Sequence, residues 1–448
     1  MRLKILCRLF YNSKLKAKLS ILVLHRLGDP DTWRQSMVEK ELCLSKFAPD
    51  HNYLEHDFSL PLPEYVKDIA FDAIILTQTF LGARQDPVLI RRLESEYGEI
   101  LRSNVFKIAL PQDDYTCSAK LDRWLCQWNV DLVYPVCLTD WDVLYPNYIK
   151  IGCLKVGYTG YISKDLINRT ELCKPIEERE IDVAYRAANL SPVFGLLGKI
   201  KTEYGKNFRE AASNLSLRLD ISTNPKDTIL GTNWYGFIEN SRCMLGVNSG
   251  SSLIDPEGEI DDKVFRYLQK KPKASFAEVE AHCFPKLDGK YSFSMISPRN
   301  IECSLFGTVQ ILTPGPYGNF IKPGEHYISL RPDMSNFDEV SELLKDLSYL
   351  ESIAGRCRES ILSYPELRYT THVADLINQI KENTLVTDLQ REKSIPLLNR
   401  YNKEILMIAN KFWGRRRLTN GLRKKLGDIG FRRIKYWLKD KIKDNIDN

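Results

Sequence analysis

Residues Ser297 to Tyr327 read SPRNIECSLFGTVQILTPGPYGNFIKPGEHY. Pro298 suits the first position of a helix, where its missing N–H costs nothing, and the residues to Phe306 carry apolar side chains at helical spacing. Gly307 closes that helix, and Val309 to Leu312 is a short, mostly aliphatic run bounded by Gly and Pro, the pattern of a buried strand. A carboxylate, Glu302, rides on the helix. A helix feeding straight into a buried strand is one step of a β-α-β alternation, and the alternation continues on both sides.

Upstream of this stretch, Ile181 to Tyr185, Leu215 to Ile221, Thr228 to Leu230 and Arg242 to Val247 read as strands, with a helix over Gly198 to Ala212. Downstream, Tyr327 to Leu330 reads as a strand and Asn336 to Leu347 as a helix. A second set lies earlier: strands at Ser20 to His25, Phe71 to Gln78, Val105 to Leu110 and Val130 to Val136, with helical spacing over 86–103 and 116–127. Between the two sets, Glu171 to Glu180 (ELCKPIEERE) is rich in charge, as expected of a crossing between domains. The predicted class is α/β: two Rossmann-like, doubly wound parallel-sheet domains facing a cleft, plus a helical C-terminal extension. The expected boundaries are 1–19 for a basic N-terminal segment, 20–170 and 171–385 for the two domains, and 386–448 for a basic amphipathic tail.

The chain has 448 residues, 43% hydrophobic and 27% charged, an ordinary globular composition long enough for two cores. A formal charge of +6 is too small for a global argument toward nucleic acid. Its distribution says more. Thirteen Lys or Arg lie between Lys411 and Lys443 against Asp428 and Asp440 alone, so the rest of the chain is slightly acidic. The eleven cysteines are scattered without a C-x-x-C pair, which argues for reduced thiols and against a zinc site. Lys14, Lys16 and Lys18 break up the start before an apolar core of signal-peptide length develops, and no run approaches a membrane span. A cytoplasmic location follows as the expectation.

Glu302, four residues, Gly307 and the strand from Val309 resemble the donor site of glycosyltransferases of the GT-B fold, especially the family-4-like group. The resemblance covers the second domain almost throughout and the first by architecture. It implies that Glu302 holds the ribose hydroxyls of a nucleotide and that the N-terminus of its helix faces the donor phosphates. It further implies that Arg186 and Lys199, in YRAANLSPVFGLLGK, neutralise the diphosphate leaving group without a metal or other cofactor. The chemistry suits these residue types, since a carboxylate accepts two hydroxyl bonds and fixed cations stabilise charge built up on bond cleavage. Gly231, Thr232 and Trp234 are the candidates for the base, and Asn248 and Ser249 for the sugar. One position departs: where such enzymes carry a glutamate eight residues before the one matched to Glu302, this chain has Ser294, and Arg299 is the candidate to take part of its role.

In the first, acceptor-side domain the candidates for a base that takes the acceptor proton are His25, after the first strand, and Asp113 and Asp114 in ALPQDDY. Each has a plainer alternative: a structural histidine for His25, and capping of the following helix for the aspartates. Arg186 and Lys199 have the alternative of surface charge, and Glu302 with Gly307 that of a surface carboxylate before a C-cap glycine. The patterns Asp140-Trp141-Asp142 and Asp29-Pro30-Asp31 are short enough to arise by chance, and no metal is assigned to them.

The expected activity is transfer of a sugar from a nucleotide diphosphate sugar to a hydroxyl of a glycan or lipid-linked acceptor, as in bacterial surface polysaccharide synthesis. The alternative is a non-catalytic relative that binds a glycan or partner. In the 411–443 tail, Phe412, Trp413, Phe431, Tyr436 and Trp437 interleave with the basic residues, which predicts a helix lying on an anionic membrane surface; the plainer alternative is a solvated helix packed on the first domain. No nucleic-acid module is recognisable.

Overall fold

The structure, a computed structural model, describes residues 18–28 and 35–409. Its first sheet is six-stranded and parallel, built from β1 (Ser20–His25), β2 (Asn52–Asp57), β3 (Ala73–Leu76), β4 (Phe106–Ala109), β5 (Leu132–Val133) and β6 (Cys153–Leu154), in the order β2-β1-β3-β4-β5-β6. The apolar run of β1 explains its central place. Leu22 and Leu24 pack on one face with Leu54, Ile74 and Leu76, while Ile21 and Val23 pack on the other with Ala73 and Ile75. A strand covered on both faces needs no polar alternation.

The second sheet holds β7 (Ile181–Arg186), β8 (Leu219–Ser222) and β9 (Ser241–Gly246), with two later strands, in a five-stranded parallel array. Between them the chain makes an antiparallel pair, β10 (Ser249–Ser251) with β11 (Phe293–Met295), around an insertion of two helices, Glu259–Lys270 and Phe276–Cys283. The later strands are β12 (Val309–Leu312) and β13 (Ile328–Ser329), giving the order β13-β12-β9-β7-β8. The predicted architecture of two doubly wound parallel sheets is therefore the observed one.

Both sheets reverse their winding at the first strand of the half. In the first, β1 lies between β2 and β3; in the second, β7 lies between β8 and β9. Chains leaving adjacent strands in opposite directions open a crevice at the strand carboxyl ends, where ligands of such sheets bind.

The C-terminal part returns to the first sheet. Tyr369–Asn383 is a helix whose Val373, Leu376, Ile377 and Ile380 cover the Ile21 face of β1, because apolar side chains at that spacing line one helix stripe. A further helix follows at 388–409. Its Leu398 and Tyr401 enter the other first-sheet core, and Arg391 pairs with the fully buried Asp72 at 2.7 Å. The predicted membrane-surface stretch, 411–443, lies outside the described residues. Among those described, no helix is long and apolar enough to cross a membrane, and the cysteines are free thiols.

Several local expectations are corrected. Thr228 to Leu230 is loop ahead of the helix Asn233–Glu239, and Val130 to Val136 shortens to two strand residues. The helix expected from Gly198 opens at Gly195, and 336–347 divides between Phe337–Leu343 and Leu347–Ser363. The edge strand β2 and the β10–β11 pair with its helical insertion are additions.

Candidate functional site

A cleft of about 430 Å³ lies where the carboxyl ends of the two sheets face each other. The second-half wall comes from the loops after β7 and β9, the segment before the Asn233–Glu239 helix, and the start of the Pro298–Leu305 helix. Gln35, Ser36, Gln112, Asp113, Tyr115 and Thr159 form the first-half wall.

The Pro298–Leu305 helix is held firmly. Asn300 Oδ1 accepts from the backbone N–H and the hydroxyl of Ser297, each at 3.0 Å, and its Nδ2 donates to Gln310 Oε1 on β12 at 2.8 Å. At the other end, Gly307 takes a left-handed φ of 61°, and the guanidinium of buried Arg179 donates to Phe306 O, Ser241 O and Thr308 Oγ1. Glu302 is thereby carried into the cleft wall, only 5% exposed, where its Oε2 accepts from Trp234 Nε1 at 2.7 Å. Arg299 lays its guanidinium 5.3 Å above the Trp234 ring and 5.8 Å above Tyr185, and donates to the carbonyl of Arg186.

The two cations expected at the diphosphate stand differently. Arg186 lines the cleft, but its guanidinium donates to Asp227 O, Tyr185 O and Asp220 O, pairs with Asp220 Oδ1 at 2.7 Å and lies 4.6 Å over Phe237. Its charge is already matched. Lys199 is not among the cleft residues: it reaches Glu203 at 3.9 Å and lies 5.7 Å over Phe276 of the insertion. Lys201 lines the cleft instead. The N-terminus of their helix, Gly195–Ala211, is likewise covered, because Asp288 Oδ2 accepts from Leu196 N–H at 2.7 Å and Ser252 Oγ from Leu197 N–H at 3.2 Å. With a fixed carboxylate there, the diphosphate candidate is the Pro298–Leu305 helix, whose N-terminal residues Ser297, Pro298 and Arg299 line the cleft.

Gly231, with φ of 60°, Trp234 and Ser249 line the cleft, whereas Thr232, exposed, and Asn248, buried, are not among its lining residues. Asn248 Nδ2 donates to Pro314 O at 3.2 Å, which ties the loop after β9 to the loop after β12. Ser294 is buried in β11 opposite Gly250, and a Cβ on Gly250 would fall 1.7 Å from Phe293 O, so this pair packs backbone against backbone.

On the first-half wall, Asp113 has a left-handed φ of 51° and accepts at Oδ1 from Tyr115 Oη at 2.8 Å. The loop is shaped by Arg84, fully buried, which donates to the carbonyls of Leu81, Gln112, Asp113 and Thr116 at 2.9–3.0 Å. Asp114 faces the interior, accepting from Val136 N–H at 3.3 Å, and burial pushes its carboxyl above the usual range. Neither aspartate caps the helix Ser118–Gln127 through its side chain, since Cys117 precedes it in a left-handed conformation. His25 is not a cleft residue. Its Nδ1 accepts from Leu27 N–H at 3.3 Å and stands 4.0 Å from Asp57, and burial holds the imidazole below its ordinary pKa while Asp57 pulls it up. Asp140 accepts from Thr139 Oγ1 on the first half, outside the cleft, and Asp29 and Asp31 lie outside the described residues. Among the described residues no cluster of His, Cys, Asp or Glu has the makings of a metal site.

Gln35, Ser36, Gln112, Tyr115 and Lys201 are cleft residues that the sequence reading passed over. Gln112 was within reach, because it precedes Asp113 in a loop already singled out.

No family model matches the chain, and no curated protein matches it in sequence. Solved structures with a similar fold include HepE of Anabaena in complex with UDP-glucose (12% identity, TM-score 0.44, covering 81% of this chain and all of that one). The sucrose-phosphate synthase of Thermosynechococcus elongatus has 12% identity and a TM-score of 0.44, covering 81% of this chain and 99% of its own. T4 phage BGT in complex with its UDP-glucose substrate has 11% identity and a TM-score of 0.46, covering 82% of this chain and all of its own. At such identities the chemistry of this chain rests on its own cleft.

Proposed function

We propose that this chain transfers a sugar from a nucleoside diphosphate sugar to a hydroxyl acceptor. The observation that carries the reading is one cleft with Glu302, Trp234 and Arg299 on the second-half wall and Asp113 on the first. Glu302, oriented by Trp234, accepts from the ribose hydroxyls. The N-terminus of the Pro298–Leu305 helix, with Arg299 and Lys201, stabilises the diphosphate, and Arg186 acts through its carbonyl and packing by holding Arg299. Asp113 suits an inverting displacement. The acceptor oxygen bonds to the anomeric carbon, the bond from that carbon to the phosphate oxygen breaks, the nucleoside diphosphate leaves with the bonding pair, and Asp113 takes the acceptor proton.

The wider reading keeps the acceptor a glycan or lipid-linked hydroxyl of surface polysaccharide synthesis. It places the protein at the cytoplasmic face of a membrane through 411–443, with no metal or other cofactor in the transfer. Ser294 in the place of an acid favours a second reading, a binding protein without turnover. Incubation of full-length chain with UDP-, GDP-, ADP- and dTDP-sugars, with methyl glycosides added to supply the acceptor hydroxyl, separates the two. The proposal expects nucleotide release from at least one donor, lowered in both Asp113→Asn and Glu302→Ala; no release from any donor overturns it.

A further inference from the structure

Behind the first-half wall lies a buried amine that the transfer step leaves unused. Lys40, on the Gln35–Glu41 helix, is only 5% exposed, and its Nζ donates to Gln78 Oε1 at 3.2 Å and reaches Gln112 Oε1 at 3.5 Å. Among the described residues no carboxylate oxygen comes within ion-pairing distance of it. The charged and titratable groups that face it are Glu41 and Cys43 on its own side, Asp113 and Asp114 from the loop after β4, and His372 from the Tyr369–Asn383 helix.

An ammonium only donates, so both amides must turn their oxygens toward Lys40. The contact to Gln112 is long, but a low-dielectric surrounding raises the charge–dipole attraction above its value in water at the same distance. The N–H₂ group of Gln112 is then turned away from the amine, on a residue that lines the cleft next to Asp113. An amide donor beside a carboxylate acceptor fits two neighbouring hydroxyls, one giving its proton and the other lending its oxygen. A lone alcohol uses half of that pair.

We propose that Lys40 is a positioning residue that fixes the Gln112 amide as a donor beside Asp113, and that this pair recognises a polyhydroxylated acceptor, a sugar ring, at the first-half wall. The inference rests on the acceptor-side reading of Asp113. Without the ammonium, the Gln112 amide turns freely and presents its oxygen as readily as its nitrogen.

The test is saturation-transfer NMR titration of full-length chain with methyl glucoside, methyl galactoside and methyl mannoside, with n-butanol as the single-hydroxyl control. At least one glycoside is expected to bind and butanol not. Lys40→Met and Gln112→Leu should each weaken that glycoside about tenfold, and the double variant no further, because the two act as one unit. Lys40→Arg, which keeps the charge, should rescue. Burial lowers the Lys40 amine to about 8, so raising the pH from 7 to 9 should weaken the glycoside in the wild type and leave Lys40→Arg unaffected. No glycoside binding, an unchanged affinity in Gln112→Leu, or additive losses would overturn the proposal. If Lys40→Met fails to fold, Gln112→Leu and the pH series decide. Thermal stabilisation by whichever of UDP, GDP, ADP and dTDP the wild type binds, measured in the same variants, is expected to stay at the wild-type value; a wild type stabilised by none of the four would refute the donor site, with the glycoside result still deciding on Lys40.

Discussion

Asp113 stands in the cleft with one oxygen held by Tyr115, while Asp114 is sealed against Val136 with its carboxyl pushed toward the neutral form. The proposed base is the former alone. Asp113→Asn should lower kcat by about 10²–10⁴ with donor affinity unchanged, the span typical of losing a general base; a loss of donor affinity of the same size would assign Asp113 to donor binding. Behind the wall, burial raises Glu41 to about 7 despite donation from Thr77 and Thr79. Below pH 4.5 both the folded and unfolded carboxyls are protonated. Between 4.5 and 7 only the unfolded one ionises, so folding stability falls as pH rises through that window, by ~3 kcal/mol from this group. Glu41→Gln should flatten that fall, read from urea midpoints at pH 5 and 8; an equal fall in both proteins would show that Glu41 ionises normally.

Elements decide which of these residues meet. Lys199 and Lys201 are two positions apart on a helix, about 200° of turn, so one faces the insertion and the other the cleft. The sequence named the helix but not its phase. The stretch from Ser297 to Leu312 was legible because its signals are local: Pro298 at the start, Gly307 at the end, and an aliphatic strand after it. Edge strand β2, NYLEHD, was not, because its buried His56 is satisfied from far away, at 2.7 Å by Tyr97 and by Tyr401. Arg84 left no signal either, since four carbonyls brought together by the fold define its role. Arg179 behaves alike at the foot of the Glu302 helix, where its loss would leave buried carbonyls without donors. Arg179→Met should cost about 3 kcal/mol or more, read by denaturant unfolding, and weaken nucleotide binding in proportion to the displaced helix; a stable variant with full binding would show that Asn300 and Gln310 suffice.

Across the whole molecule, the returning C-terminal helices tie the two halves together. Asp72 at the foot of β3 receives Ser20 N–H, Thr384 Oγ1 and the Arg391 guanidinium, so first strand and last helix share one buried carboxylate. Asp72→Ala should destabilise by about 3–5 kcal/mol, because it strands a largely buried cation. Truncation after residue 385 should also destabilise through the loss of Leu398 and Tyr401, whereas truncation after residue 410 should leave the melting temperature near that of the full chain and abolish sedimentation with anionic vesicles. Vesicle binding that survives the second truncation would remove the membrane role from the tail.

The central claim is that the cleft takes a nucleoside diphosphate against Glu302, Trp234 and Arg299. Calorimetric titration of full-length chain with UDP, GDP, ADP and dTDP tests it most directly. The account predicts one-to-one binding of at least one of them, weakened about tenfold or more in Glu302→Ala and in Arg299→Met; a chain that binds none, or an affinity indifferent to both substitutions, would contradict it.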